Sequence, residues 1–168
     1  MTDSTATRPF LRHTLATIAY RAAKVERDAP AAFATFQLGK GARTPIELLA
    51  HMGDLFDWAL RMARGSSEWT QAKPQLWRKE VERFHASLLE FDRYLASASP
   101  LATSAEELFQ GPISDVLTHI GQLALLRRQA LSPVRSEVYA KASISPGRVG
   151  ADQPRSPFEF DSPPASER

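Results

Sequence analysis

The chain has no cysteine among its 168 residues. Disulfides, thiolate metal ligands and a cysteine nucleophile are excluded together. The absence is compatible with a reducing compartment. No apolar run approaches the roughly 20 residues needed to cross a bilayer, so no membrane span is expected. The opening Met1-Thr2-Asp3-Ser4-Thr5 is polar and lacks the apolar core of a signal peptide, and the location expected from this is cytoplasmic. Charge of one sign is also lacking. Twenty-one basic and 19 acidic residues are interspersed, for a net charge of +2. Nucleic acid is therefore not implied as a partner, despite a pI near 9.1. There is no phosphate loop, no Gly-x-Ser-x-Gly elbow, no His-Glu-x-x-His pair and no strong strand pattern.

What is present is helical periodicity. The first segment runs from about Pro9 to Asp28, with Leu11, Leu15, Ile18, Ala22 and Val25 on one face, Thr7 as N-cap and Pro30 as its end. A short helical piece follows from Ala31 to Phe36, then a loop at Gly39 and Gly41. The second helix has the clearest start, because Thr44-Pro45-Ile46-Glu47 supplies an N-cap, a proline at the first helical position and a capping-box glutamate. It runs to about Arg64. The third spans about Pro74 to Ala98, with Trp77, Val81, Phe84, Leu88, Phe91 and Leu95 repeating as a bundle seam. Ser104-Ala105-Glu106-Glu107 caps a short turn, and the fourth helix runs from about Pro112 to Leu131. These elements predict an all-α four-helix bundle over residues 1–135, with no sheet. Residues 136–168 are rich in proline, glycine and serine. They read as an irregular C-terminal extension, ordered at first and mobile at its end, with Phe158 and Phe160 as transient anchors.

Two helices carry the residues with chemistry. Asp115 and His119 are four apart on the fourth helix, hence one turn apart on one face. Gln122 continues that polar line. On the second helix a polar stripe reads Glu47, His51, Asp54, Asp57 or Trp58, and Arg61. If His51 comes alongside the fourth helix, two imidazoles and a carboxylate converge, a set that holds a divalent transition metal and leaves positions open. The same two stripes are also what two solvent-facing surfaces would leave in a sequence. His13 shares a face with Thr17, Tyr20 and Lys24 and is expected to be exposed. His85 lies beside the third-helix seam and is expected to be half-buried. Either could replace Asp115 as third ligand. The three tryptophans read as core or rim aromatics.

The His51-Met52-Gly53-Asp54 stretch and the His119-Ile120-Gly121-Gln122 stretch resemble the DinB-like (damage-inducible) four-helix bundles. In that family a lone histidine on the second helix meets two histidines four apart on the fourth, in a segment resembling His-x-x-x-His-x-Gly-Gln. His51 matches the lone histidine and His119 the second of the pair, while Asp115 stands where the family most often has histidine. The similarity covers roughly Pro9 to Pro133. It implies a bundle with a divalent metal, often nickel or zinc, held by His51, Asp115 and His119, a homodimer, and activities such as thiol transfer or isomerisation. The donor set itself also suits iron, Gln122 about one turn from His119 is placed to orient a ligand or substrate, and hydrolysis of a small-molecule substrate is a further reaction open to a metal-bound water. The alternative is a non-catalytic helical binding or interaction module with a degenerate metal site. Gln110 and the loop near Trp69 are expected as pocket walls.

Overall fold

Apolar residues recurring every three or four positions give each long helix one face that has to be covered, and four such faces close on one core. The computed structural model describes residues 4–161, with side chains from residue 7 onward. Four long helices result: α1 (Ser4–Glu26), α2 (Pro45–Ala63), α3 (Trp77–Ala96) and, after the single turn α4 (Ala105–Leu108), α5 (Ser114–Gln129). Helix α1 packs on α3 and α5, and α2 packs on the same two. The order around the bundle is thus α1, α3, α2, α5, with α1 diagonal to α2. The two connections that cross a diagonal, residues 27–44 and 97–113, are the longer ones.

The core follows the expected seams. Leu15, Ile18, Leu49, Met52, Phe56, Phe84, Leu88, Phe91 and Leu123 are essentially inaccessible to solvent. Phe56 lies 5.7 Å from Phe84 and 6.2 Å from Phe91, centroid to centroid, at aromatic packing distance. Trp77 and Val81, at the open end of the α3 seam, are only half-buried.

Several boundaries differ from expectation. Helix α1 is already helical at Ser4, the first described residue, so Thr7 lies within it rather than capping it, as does Pro9. Pro9 is close enough to the start to forfeit a single intrahelical bond. Helix α5 starts at Ser114 because a π-type turn at Phe109–Ile113, non-helical at Gly111, kinks the chain first. Both capping boxes are present. The Glu47 carboxylate accepts from the Thr44 backbone N–H at 2.7 Å, and Ser104 and Glu107 bond reciprocally.

The extension is packed onto the bundle as far as Asp161, where the described residues end, so the mobile end expected for the chain lies outside them. It contains a minimal antiparallel ladder, β1 (Ser136–Glu137) with β2 (Glu159–Phe160), a correction to the sheet-free expectation. Its anchors are not Phe158 and Phe160: Val149 enters the core, the Tyr139 ring packs on Tyr20 and under Arg21, and polar contacts do the rest. Phe158 and Phe160 are exposed, whereas Lys24 of α1 bridges Glu137 at 2.6 Å and Glu159 at 3.0 Å. The Tyr20 hydroxyl donates to Glu137 at 2.6 Å. Tyr20 and Lys24 are therefore buried under the extension, although they share the outer face of α1 with the exposed His13.

Candidate metal centre

His51 is set on α2 by the capping box one and a half turns before it, which fixes where the helix begins. Asp115 and His119 stand on α5 just past the kink. Because α2 and α5 are neighbours in the bundle, the three side chains meet. His51 Nε2 lies 3.7 Å from Asp115 Oδ2, and His119 Nε2 lies 3.2 Å from Asp115 Oδ1. The two imidazole centroids are 5.0 Å apart. One ligand atom from each of the three residues falls within 4.8 Å of the others. Donors sharing one ion at bond lengths near 2.1 Å are separated by about 3–4 Å, so small side-chain rotations close the set. Such a group can hold a metal ion.

The two histidines are poised differently. His119 is buried, and its Nδ1–H donates to Gln122 Oε1 at 2.7 Å. That bond puts the ring proton on Nδ1 and leaves Nε2 as a lone pair. Among the described residues Nε2 has no hydrogen-bond partner although it is shielded from solvent; its contact with Asp115 lacks hydrogen-bond alignment. An orphaned buried acceptor is costly unless something else occupies its lone pair. His51 is half-buried. Burial, followed by the nearby charges of Arg43 and His119, holds its pKa below the ordinary histidine value, against an opposing pull from Asp115 and Asp54. It is thereby kept neutral, the form that binds metals. The Asp115 side chain is 45% exposed and closes the outer side.

The centre lines a cleft of about 620 Å³, within the size range of small-molecule sites. Leu48, Leu125 and Leu126 form an apolar wall, and Leu38 and Arg43 come from the connection preceding α2. Gln122 also reaches this cleft, so it touches both a candidate ligand and the space beside it. Gln110 does not line it. Trp69 does not line it either, but packs edge-on against His51 at 5.6 Å and against Trp58 at 5.9 Å.

The other histidines lie elsewhere. His13 is exposed on α1. His85 is buried between Glu26 and the Val149 carbonyl, each 2.8 Å away, and is committed there rather than to the metal centre.

A supporting layer was not legible in the sequence. Asp54, which falls on the polar stripe of α2, is buried and receives the Arg83 guanidinium at 2.9 Å and the Ala72 backbone N–H at 3.2 Å. Arg83 also binds Glu80 at 2.8 Å and donates to the Ala50 carbonyl. This guanidinium lies flat over Gly53, where a Cβ would come within 2.9 Å of it. The Asp54–Ala72 bond ties down the 64–76 connection, and that connection brings Trp69 against His51. The available signal was the Gly53-Asp54 pair, a glycine in mid-helix beside an acid.

No family model matches the chain, and no curated protein and no solved structure matches it.

Proposed function

We propose that this protein is a metal-dependent enzyme acting on a small molecule, with His51, Asp115 and His119 as the metal ligands. The observation that carries the reading is His119: one ring nitrogen is held by Gln122, and the other is a buried, unpartnered lone pair aimed at two further donors. Two neutral imidazoles and one carboxylate suit nickel, zinc or iron(II) and leave the coordination sphere open. A metal held there would polarise a substrate atom, or lower the pKa of a bound water or thiol. The chain's own contribution is to orient His119 through Gln122, to keep His51 neutral, and to provide a cleft with an apolar wall at Leu48, Leu125 and Leu126. Transfer to a thiol and isomerisation are the reactions that the resemblance to DinB-like bundles brings with it, and hydrolysis is open to a metal-bound water.

The test is metal analysis of untagged protein, with His51→Ala and His119→Ala beside it and His13→Ala as control. One equivalent of metal in the wild type and in His13→Ala, absent from the other two, is the expected result. Absence of metal from reconstituted wild type returns the protein to the second reading, a non-catalytic helical module with a degenerate site. The exposed Asp115, a weaker anchor than a third imidazole, is what favours that alternative.

The same resemblance leads us to propose a homodimer. Sedimentation at micromolar concentration should give twice the chain mass of 18.6 kDa; a species at the monomer mass contradicts it.

A further inference from the structure

The metal centre opens into a cleft whose charged lining, among the described residues, is Asp115 and Arg43. Arg43 is exposed and makes no ion pair or hydrogen bond with any described residue, although the Glu47 carboxylate is near enough to feel its charge. A divalent ion with one aspartate carries a net charge of +1, and Arg43 raises the charge facing the cleft to +2. Glu47 offsets part of it from outside the cleft, and among the described residues no further acid lines the wall. Beyond the charged end the lining includes Leu38, Leu48, Leu125 and Leu126, and Leu38 and Leu125 are each 51% exposed overall. A ligand that complements both ends has an anionic oxygen headgroup and an apolar body. A single guanidinium fork matches the two oxygens of a carboxylate, and an open position on zinc, nickel or iron(II) accepts the same oxygens.

We infer that the cleft takes small amphipathic carboxylates, the carboxylate held between Arg43 and the open face of the metal centre and the apolar body lying along Leu38, Leu48 and Leu125. This rests on the proposed metal centre for one of its two headgroup contacts. Arg43 and the aliphatic wall are independent of it, so the two ideas can fail separately. In this arrangement Arg43 selects the substrate by charge, and the leucine wall selects by length. The volume of about 620 Å³ accommodates an eight-carbon acid with room for a second reactant.

The experiment is calorimetric titration of untagged protein, zinc-loaded and metal-stripped, with octanoate, acetate, octyltrimethylammonium and octyl phosphate. Octanoate should bind zinc-loaded protein at least about tenfold more tightly than acetate or the cation, the margin of a charge-assisted contact plus apolar burial. Stripped protein should bind it more weakly but still detectably. Arg43→Gln should lose about tenfold in octanoate affinity, with unchanged zinc content, and Arg43→Lys should recover part of it. Leu125→Ser should shrink the preference for octanoate over acetate. Equal binding of octanoate and the cation overturns the proposal, as does an Arg43→Gln variant that retains full affinity. Tighter binding of octyl phosphate overturns the carboxylate assignment. Self-association that Leu125→Ser abolishes, with no octanoate binding, assigns the cleft to a second copy of the chain instead. Failure to take up zinc while octanoate still binds through Arg43 counts against the metal centre and not against the carboxylate cleft.

Discussion

His119 donates its Nδ1 proton to Gln122 Oε1 across 2.7 Å, one turn further along α5, and that bond decides which ring nitrogen faces the cleft. The two residues belong to the His119-Ile120-Gly121-Gln122 segment, so one short stretch of helix carries a candidate ligand and the group that sets its tautomer. The partner of a metal-ligating imidazole typically contributes 10–100-fold to metal affinity. Gln122→Leu should therefore weaken zinc binding by about that factor, read by competition with a chromophoric chelator, while Gln122→Glu retains most of it. A Gln122→Leu variant with wild-type affinity would show that the tautomer is set by something else.

Asp115 faces both imidazoles but is nearly half-exposed, and among the described residues no other side chain anchors it. Asp115→Ala should cost most of the metal occupancy at micromolar concentration. Asp115→His should keep or raise it, since a third imidazole suits nickel and zinc and has greater reach from the same helical position. Loss of metal in Asp115→His, with the helical circular dichroism intact, would mean that the carboxylate charge is required.

Phe84 is fully buried and packs on Phe56. Truncation there leaves a cavity that rigid neighbouring helices fill poorly, so Phe84→Ala should cost about 3–5 kcal/mol in urea unfolding. A loss below about 1 kcal/mol would place the core elsewhere.

The four long helices could be read because their signals are local: a three-and-four spacing, the Thr44 and Glu47 cap, the Ser104 and Glu107 cap. The meeting of His51 with Asp115 and His119 is long-range. Helical spacing paired only the last two, and His51 joined them through resemblance. What could not be read are polar contacts distant in sequence. Lys24 looked like a solvent-facing residue beside His13, yet Glu137 and Glu159 bury it. Asp54 looked like part of an exposed stripe, yet Arg83 and the Ala72 amide enclose it. Lys24 is covered by a segment without periodicity, and Asp54 by another such segment at Ala72 together with Arg83 of α3; spacing within one helix shows neither meeting.

His85 shows the same kind of cover, with a consequence for pH. Its Nδ1 faces the Val149 carbonyl, which can only accept, so Nδ1 carries a proton. Its Nε2 faces Glu26 Oε2, and a proton there completes an imidazolium–carboxylate pair. Burial opposes the charged ring; the hydrogen bond and charge of Glu26, with the Val149 carbonyl, outweigh it and raise the pKa above the ordinary 6.5. A pKa raised in the folded state stabilises that state fully below the unfolded value, and the contribution disappears as pH rises through the folded value. The wild-type urea midpoint should therefore fall as pH climbs from 6.5 through the raised pKa. His85→Gln should start lower and lose this segment of the slope. Amide exchange around Val149 should accelerate over the same range beyond the intrinsic base-catalysed rise, because the ring holds the extension on α3. Identical pH slopes in wild type and His85→Gln would show that the His85 ring does not contribute to the pH dependence of stability.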